Sequence, residues 1–379
     1  MKYFFLVGEA SGDAHAAALP EALRRKDPQA QFAGLGGPLM QAAGVKLYQD
    51  YTHMAFMGVW AILCNIPQIR ENFRIAEQAL LSEKPDVLIL VDYPSFNLKM
   101  AEFARKHLPG IKIIYYIPPK VWAWKTHRIH RIARLCDEVH AIFPFEPAFY
   151  AKYGYQCTYV GNPTAKAVAQ WQASHSAAAS QRSGLTTGSE TVIALLPGSR
   201  KNEIRNCLPK MLKAIHKELP NLQSPISNIQ SPTSNLQSPI SIVIAAAPGI
   251  EEDFYTQYLA DNITLTHDTW SLLSRAKVAL VASGTATLEA ALLGCPQVAV
   301  YRIILSRWLG WLRPFIFKLK QFTLVNIIAG KEVIYEAIGP KFSVSNIRRE
   351  LHRLLTDEAY VKNMLAEYGH IRTLMQSPQ

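Results

Sequence analysis

Two short polar runs in the second half of the chain have the residue types that hold phosphate. Ser283-Gly284-Thr285 interrupts the apolar run Val278–Val281 and opens a helix-forming stretch with Glu289 about one turn in. A helix start leaves N–H groups unpaired and carries partial positive charge, which favours an anion. Gly284 lets that backbone approach a ligand closely, and Glu289 is placed to take two ribose hydroxyls. An ordinary strand–helix turn capped by Ser283 or Thr285 would use the same residues. In Leu195-Leu196-Pro197-Gly198-Ser199-Arg200 another apolar run ends, and Ser199 and Arg200 arrive together. Arginine binds phosphate bidentately and keeps its charge, and Glu203 is placed to cap the helix that follows. Two such turns in one half of a chain suggest a diphosphate, hence a nucleotide.

The first half carries carboxylates instead. Gly8-Glu9-Ala10-Ser11-Gly12-Asp13 follows the first apolar run. It is not Gly-x-Gly-x-x-Gly and no Walker lysine follows. Glu9 and Asp13 suit a hydroxyl-rich ligand better than a pyrophosphate; a β-turn capped by Ser11 or Asp13 is the plainer alternative. Asp92 closes Val87–Val91, the place for a general base at the carboxyl end of a strand; capping of the next turn is the plainer alternative. The aromatic and basic loop Tyr116–Lys125 offers Trp122 as a stacking face and Lys125 as a cation, although Trp122 and Trp124 could equally be core residues.

These residues must be positioned by alternating elements. Strands are expected at Tyr3–Val7, Gln31–Leu35, Val87–Val91, Ile111–Ile117 and Glu138–Ile142. Helices are expected at His15–Arg25, Gln68–Glu83, Leu98–His107 and Arg128–Arg134. A second series begins at Val192–Leu196 and continues at Ile242–Ala246, Val278–Val281 and Gln297–Tyr301. Such alternation implies an α/β chain with parallel, doubly wound sheets. Residues 1–170 are expected to form one such domain, the Ala/Ser/Gly/Thr-rich 171–190 a linker, and 191–340 a second. The tail 341–379 should form helices, with the first domain as one surface to pack back on. Ligands bind beyond the strands' carboxyl ends in open α/β sheets, so the two domains should face a cleft. The three-fold heptad repeat at 221–241 has prolines at period seven, which rules out a continuous helix. It reads as an insertion without chemistry.

Composition narrows the classes. The 379 residues are 49% hydrophobic and 18% charged, enough for two cores. Five scattered cysteines lack metal-ligand spacing and read as buried thiols of a reducing compartment. No run reaches the roughly 18–20 apolar residues that span a bilayer. The net charge of +11 points to nucleic acid, anionic lipid or phosphorylated ligands. Zinc-finger spacing, RNP-like motifs and dense basic runs are absent, so nucleic acid is not expected as a partner. Arg307–Lys320 mixes basic and aromatic residues and suits a lipid headgroup layer; a core helix pair broken at Pro314 is the alternative.

Taken in order, Gly8–Asp13, Gly36–Gly44, Met57-Gly58, Asp92–Asn97, Val121–Trp124, Phe143–Glu146, Leu196–Arg200, Ser283–Glu289 and Asn326–Gly330 resemble the lipid-A-disaccharide synthase family of glycosyltransferases. These have two Rossmann-like domains, the GT-B arrangement. The resemblance implies transfer of 2,3-diacylglucosamine from UDP to the 6-hydroxyl of 2,3-diacylglucosamine 1-phosphate. The products are a β-1,6 disaccharide 1-phosphate and UDP, with inversion, no metal, and no cofactor beyond the UDP-sugar substrate. It implies Asp92 as base, with Glu9 and Asp13 on the acceptor side. Ser11, Met57, Trp122 and Lys125 would meet the acceptor or its acyl chains. Ser199, Arg200, Ser283, Gly284 and Thr285 would hold the UDP, Glu289 the ribose, and Asn326 the donor. It further implies a cytoplasmic protein, peripheral on the cytoplasmic face of the inner membrane, and leaves room for a homodimer. The apolar Met54–Ile66 has a suitable size for an acyl-chain flap. The chain departs from the family pattern at Ala61, Ser95, Asn162 and Lys331. Another UDP-sugar enzyme of the same fold, an epimerase for instance, or a non-catalytic UDP-sugar or lipid-binding relative are the competing readings.

Overall fold

Apolar runs without alternation, such as Val87–Val91 and Val278–Val281, need cover on both faces, which parallel sheets flanked by helices provide. A computed structural model of the chain describes residues 1–54, 65–123, 125–181, 191–223, 239–282, 284–302 and 321–376. They divide into two units, Met1–Pro163 and Thr164–Gln376, each with its own sheet.

In the first unit, strands β1 (Lys2–Val7), β2 (Gln31–Gly36), β3 (Lys46–Asp50), β4 (Val87–Val91), β5 (Lys112–Tyr116), β6 (Glu138–Ala141) and β7 (Thr158–Tyr159) pair in the order β3-β2-β1-β4-β5-β6-β7. Every pairing is parallel. The connecting helices are α1 (Ala10–Ala16), α2 (Leu19–Lys26), α3 (Pro38–Ala42), α4 (Ile66–Glu83), α5 (Pro94–His107), α6 (Arg128–Leu135) and α7 (Glu146–Ala151). Phe4, Leu6, Leu35, Leu88 and Leu90 meet Leu98, Met100 and Ala101 of α5 in one buried cluster. The strand order reverses between β1 and β4, the switch point at which such sheets place a ligand.

The second unit repeats the plan. After α8 (Pro163–Gln181), it alternates β8 (Thr191–Leu196), α9 (Lys201–Gln223), β9 (Ile240–Ala245), β10 (Ile263–Thr266), α10 (Thr269–Arg275), β11 (Val278–Val281), α11 (Thr285–Leu293), β12 (Gln297–Tyr301), α12 (Leu324–Ala329) and β13 (Glu336–Ile338). Its strands run β10-β9-β8-β11-β12-β13, also parallel, with the reversal between β8 and β11. Helices α13 (Val344–Thr356) and α14 (Glu358–Met375) pack on α9, β12, α11 and α12, so they seal the core of the second unit.

Several boundaries differ from the sequence expectation. The helix expected at 15–25 is two: α1 opens at Ala10, and α2 opens with Pro20 in its first turn. The expected linker 171–190 begins inside α8, because its alanines are strong helix formers. Residues 182–190 lie outside the described residues. The heptad repeat is trimmed at both ends. α9 continues through Pro220 to Gln223, and Ile240 and Ser241 pair with Thr191 and Val192. Residues 224–238 are outside the description, as are most of the Met54–Ile66 stretch, including Met57, and all of Arg307–Lys320. Among the described residues no helix is long and apolar enough to cross a membrane.

Candidate functional site

Val7 and Val91 are register partners, so the chain leaving β1 and the chain leaving β4 emerge side by side. This brings Glu9, the extended N-cap of α1, to Asp92. Asp92 and Tyr93 both have left-handed backbones, with φ of 44° and 42°. Each such residue costs about 1–3 kcal/mol and persists only where its surroundings enforce it. Here the Asp92 amide donates to Ile117 O at 3.1 Å. Its carbonyl accepts from Asn97 Nδ2 at 2.8 Å and Tyr115 Oη at 2.7 Å. Asn97 Nδ2 also reaches Leu6 O and Val91 O, tying the two strand ends together. Tyr93 Oη donates to Met54 O at 2.6 Å, and its ring lies where a Cβ on Gly8 would fall, 2.3 Å away.

Burial pushes the Asp92 carboxyl up to about 6, helped by the Glu9 charge and a hydrogen bond with Glu9; Lys120 pulls the other way. Burial first and the neighbouring Glu9 charge second thus give a base that is half-ionised at about pH 6. Ser11 Oγ donates to Glu9 Oε1 at 2.8 Å and so belongs to this group.

Asp13 has a different job from the one expected. It is 1% exposed, and its carboxylate accepts from the amides of Gly37, Leu39 and Met40 at 2.9, 3.1 and 3.1 Å. It caps the start of α3, with three of its roughly four acceptor sites taken by these amides and the carboxylate buried away from solvent.

The loop after β5 carries Lys120, Trp122 and Lys125. Lys120 and Lys125 are exposed, and Lys125 has φ 54°. Trp122 is half-buried, edge-on to Phe143 and Phe145, with its indole N–H on Glu146 Oε1 at 3.2 Å. Trp124 lies outside the described residues.

In the second unit Leu196 and Val281 are register partners, and Ala282 N donates to Leu196 O at 2.7 Å. The turns after β8 and β11 therefore leave the sheet together. Gly198 has φ 124°, and a Cβ there would meet Glu203. Glu203 folds back over the start of α9 and accepts from Ser199 N at 3.0 Å. Arg200 Nη1 lies 3.6 Å from Glu203 Oε1, with a side chain 60% exposed. Gly284 is the N-cap of α11 at φ 146°, with open space around its Cβ position; Thr285 beside it is exposed. Ser283 lies outside the described residues. Burial raises the Glu289 carboxyl, and the Trp270 indole opposes that shift with a hydrogen bond. Trp270 stands edge-on to Trp171 at 6.0 Å, and Trp171 stacks on His175 at 4.2 Å.

Asn326 is a second correction. Its Nδ2 donates to Ile334 O at 2.9 Å and Glu336 Oε1 at 3.0 Å. Its Oδ1 accepts from Val333 N and Ile334 N at 2.8 and 3.0 Å. Every side-chain hydrogen bond of an amide is thereby spent, so Asn326 shapes the 331–335 turn and has none left for a donor sugar. Asn162 likewise donates to Ile142 O, and Lys331 pairs with Glu367.

Asn97, Lys120, Glu146 and Trp270 were not among the expected site residues. Asn97 and Glu146 each sit in a recognisable motif, and a polar residue flanked by apolar ones was the available signal. Trp270 had none. Among the described residues, no three His, Cys, Asp or Glu side chains gather as a metal site.

Residues 3–378 match the family described as Lipid-A-disaccharide synthetase. The chain is 35% identical over 378 residues to the lipid-A-disaccharide synthase of Geobacter sulfurreducens, covering 98% of this chain and 92% of that protein. It is 35% identical over 382 residues to lipid-A-disaccharide synthase 1 of Legionella pneumophila subsp. pneumophila, covering 99% and 93%. Among solved structures, UDP-GlcNAc 2-epimerase from Neisseria meningitidis, bound to UDP-GlcNAc, aligns with TM-score 0.61 and 14% identity over 99% of this chain and 97% of that one. The calicheamicin glycosyltransferase CalG4 aligns with TM-score 0.54 and 14% identity over 98% and 94%. At these identities the structural likeness concerns the fold alone.

Proposed function

The chain belongs to the lipid-A-disaccharide synthetase family, and on that premise we propose that it transfers 2,3-diacylglucosamine from UDP to the 6-hydroxyl of 2,3-diacylglucosamine 1-phosphate with inversion. The observation that carries the reading is Asp92 set against Glu9 at the first unit's switch point, with the Asp92 carboxyl pushed up to about 6. Asp92 takes the proton of the acceptor hydroxyl as its oxygen attacks the anomeric carbon, an effect of about 10²–10⁴-fold. The bond to the UDP oxygen breaks, and UDP leaves with the electron pair. Arg200 and the N-terminus of α11 at Gly284–Thr285 meet the charge that grows on the pyrophosphate, where fixed dipoles and cations act most strongly. Glu289 holds the ribose hydroxyls; their hydrogen bonds replace the water its partly buried carboxylate has lost. The step as drawn calls on no metal and no cofactor.

Both substrates carry acyl chains, and each buried CH₂ is worth about 0.8 kcal/mol, so the substrates stay with the bilayer. The reading therefore places the working enzyme at the cytoplasmic face of the inner membrane as a peripheral protein. The net charge of +11 favours an anionic surface.

Incubation with both acylated substrates tests the reading. The expected products are UDP and a disaccharide 1-phosphate in equal amounts. Release of UDP without disaccharide, or an epimerised UDP-sugar, would overturn it.

A further inference from the structure

Glu146 is a carboxylate that the transfer step does not use, although it is 1% exposed. Its Oε2 accepts from Phe143 N at 3.0 Å, and its Oε1 accepts from Trp122 Nε1 at 3.2 Å. The rings of Phe143 and Phe145, stacked on each other, stand at 89° and 84° to Trp122, so the indole is seated edge-on against the pair. A buried carboxylate is unfavourable unless hydrogen-bonded; here burial pushes the Glu146 carboxyl up to about 7, and the N–H donors on both oxygens, with Lys120, offset part of that rise.

The loop that Glu146 holds at one end is held by Asp92 at the other. Ile117, the loop's first residue, has φ 57°; its amide donates to His140 O at 3.0 Å and its carbonyl accepts from Asp92 N at 3.1 Å. Pro118 and Pro119 stiffen the chain between. Val121 is fully buried, with its amide on Pro119 O. Lys120 stands exposed between the two anchors, within electrostatic reach of both Asp92 and Glu146.

We propose that Glu146 is a positioning residue for the acceptor side: through Trp122 it fixes the 117–123 loop, whose first carbonyl binds the Asp92 amide and which carries Lys120. The inference rests on the reading of Asp92 as the base. The groups facing Asp92 are Glu9 from the β1–α1 turn, the Tyr93 amide, Tyr115 from β5 and Lys120 from the loop. Those facing Glu146 are Lys120, the Cys157 thiol and the Tyr150 hydroxyl. Burial pushes the thiol up to about 12 and the hydroxyl well above its ordinary range, so both stay neutral near pH 7. Lys120 is thus the cation that opposes the rise of Asp92, and releasing it moves Asp92 further up.

Glu146→Gln is the informative substitution. It keeps the volume but leaves one acceptor oxygen where the carboxylate had two, so the Phe143 and Trp122 N–H groups compete for it and the hold on Trp122 weakens. In the full chain, the Asp92 ¹³Cγ titration should move up by about half a pH unit. The Trp122 indole ¹⁵N–¹H resonance, assigned through Trp122→Phe, should shift towards that of a solvated indole. Transfer should fall about tenfold in kcat with little change in the KM for the UDP-sugar, and its acid limb should follow Asp92. Trp122→Phe, which leaves Glu146 in place, should move the Asp92 titration in the same direction. An Asp92 titration unchanged in both variants would overturn the proposal. If the wild-type chain shows no transfer, the functional reading fails, while the two resonances still decide whether Glu146 positions the loop.

Discussion

Asp92 shows how much a single residue depends on its frame. An aspartate at the end of an apolar strand would ordinarily ionise near 3.8, whereas burial beside Glu9 pushes this one up to about 6. A general base works in its ionised form. Transfer should therefore fall as pH drops through about 6, well above the ordinary carboxylate range, and level off above it. Asp92→Asn should cost about 10²–10⁴-fold in kcat and leave UDP affinity as it was; a variant retaining wild-type turnover would remove Asp92 as base. Asp13 should behave in the opposite way. Its loss strands three amides at the start of α3, each at about 1–3 kcal/mol when left unsatisfied. Asp13→Ala should lower the denaturation midpoint clearly, while the folded fraction turns over far faster than Asp92→Asn. A midpoint equal to wild type would contradict the capping role.

The elements meet at the switch points with little room to spare. In the first unit, the β1–α1 turn passes under Tyr93, and the absence of a side chain at Gly8 admits that ring. Gly8→Ala would drive a methyl into it and strain the left-handed Asp92–Tyr93 pair. Overpacking of this kind costs about 1–3 kcal/mol. The expected result in chemical denaturation is a loss of that size, with kcat reduced as well because Asp92 is displaced. Unchanged stability and turnover together would mean that the ring has somewhere else to go. In the second unit, Gly284 meets no neighbour at its Cβ position. Openness there suits a bound anion, whereas closeness at Gly8 serves packing.

At the scale of the molecule, the proposed donor groups Ser199, Arg200, Gly284, Thr285 and Glu289 all belong to one unit, and Glu9 and Asp92 to the other. UDP at about 100 times its Kd stabilises the state that binds it by about 2.7 kcal/mol. Hydrogen exchange of the full chain should then slow in peptides covering 195–205 and 278–293 when UDP is added, and not in those covering Lys2–Asp13. Arg200→Ala should abolish that protection at the same UDP concentration. Protection confined to the first unit would reverse the assignment of donor and acceptor sides.

The sequence alone was enough for the alternation and for the central strands, because long apolar runs are local signals; the short or partly polar strands β3, β7, β10 and β13 carry no such run and emerged only in the structure. Val87–Val91, Val278–Val281 and Gln297–Tyr301 have the same bounds in the structure. The order of the motifs along the chain likewise carries the family resemblance by itself. What the tertiary structure decided is which polar residues are left over for chemistry. Asp13 and Asn326 read as site residues in one dimension, but distant amides and carbonyls consume them. Glu146 and Trp122 read as motif letters, yet they close on each other across two loops. The physical reason is that hydrogen-bond saturation and desolvation depend on neighbours that register brings together. The pairing of Val7 with Val91 is what sets Glu9 against Asp92, and that of Leu196 with Val281 is what sends the turns carrying Arg200 and Gly284 out of the sheet side by side.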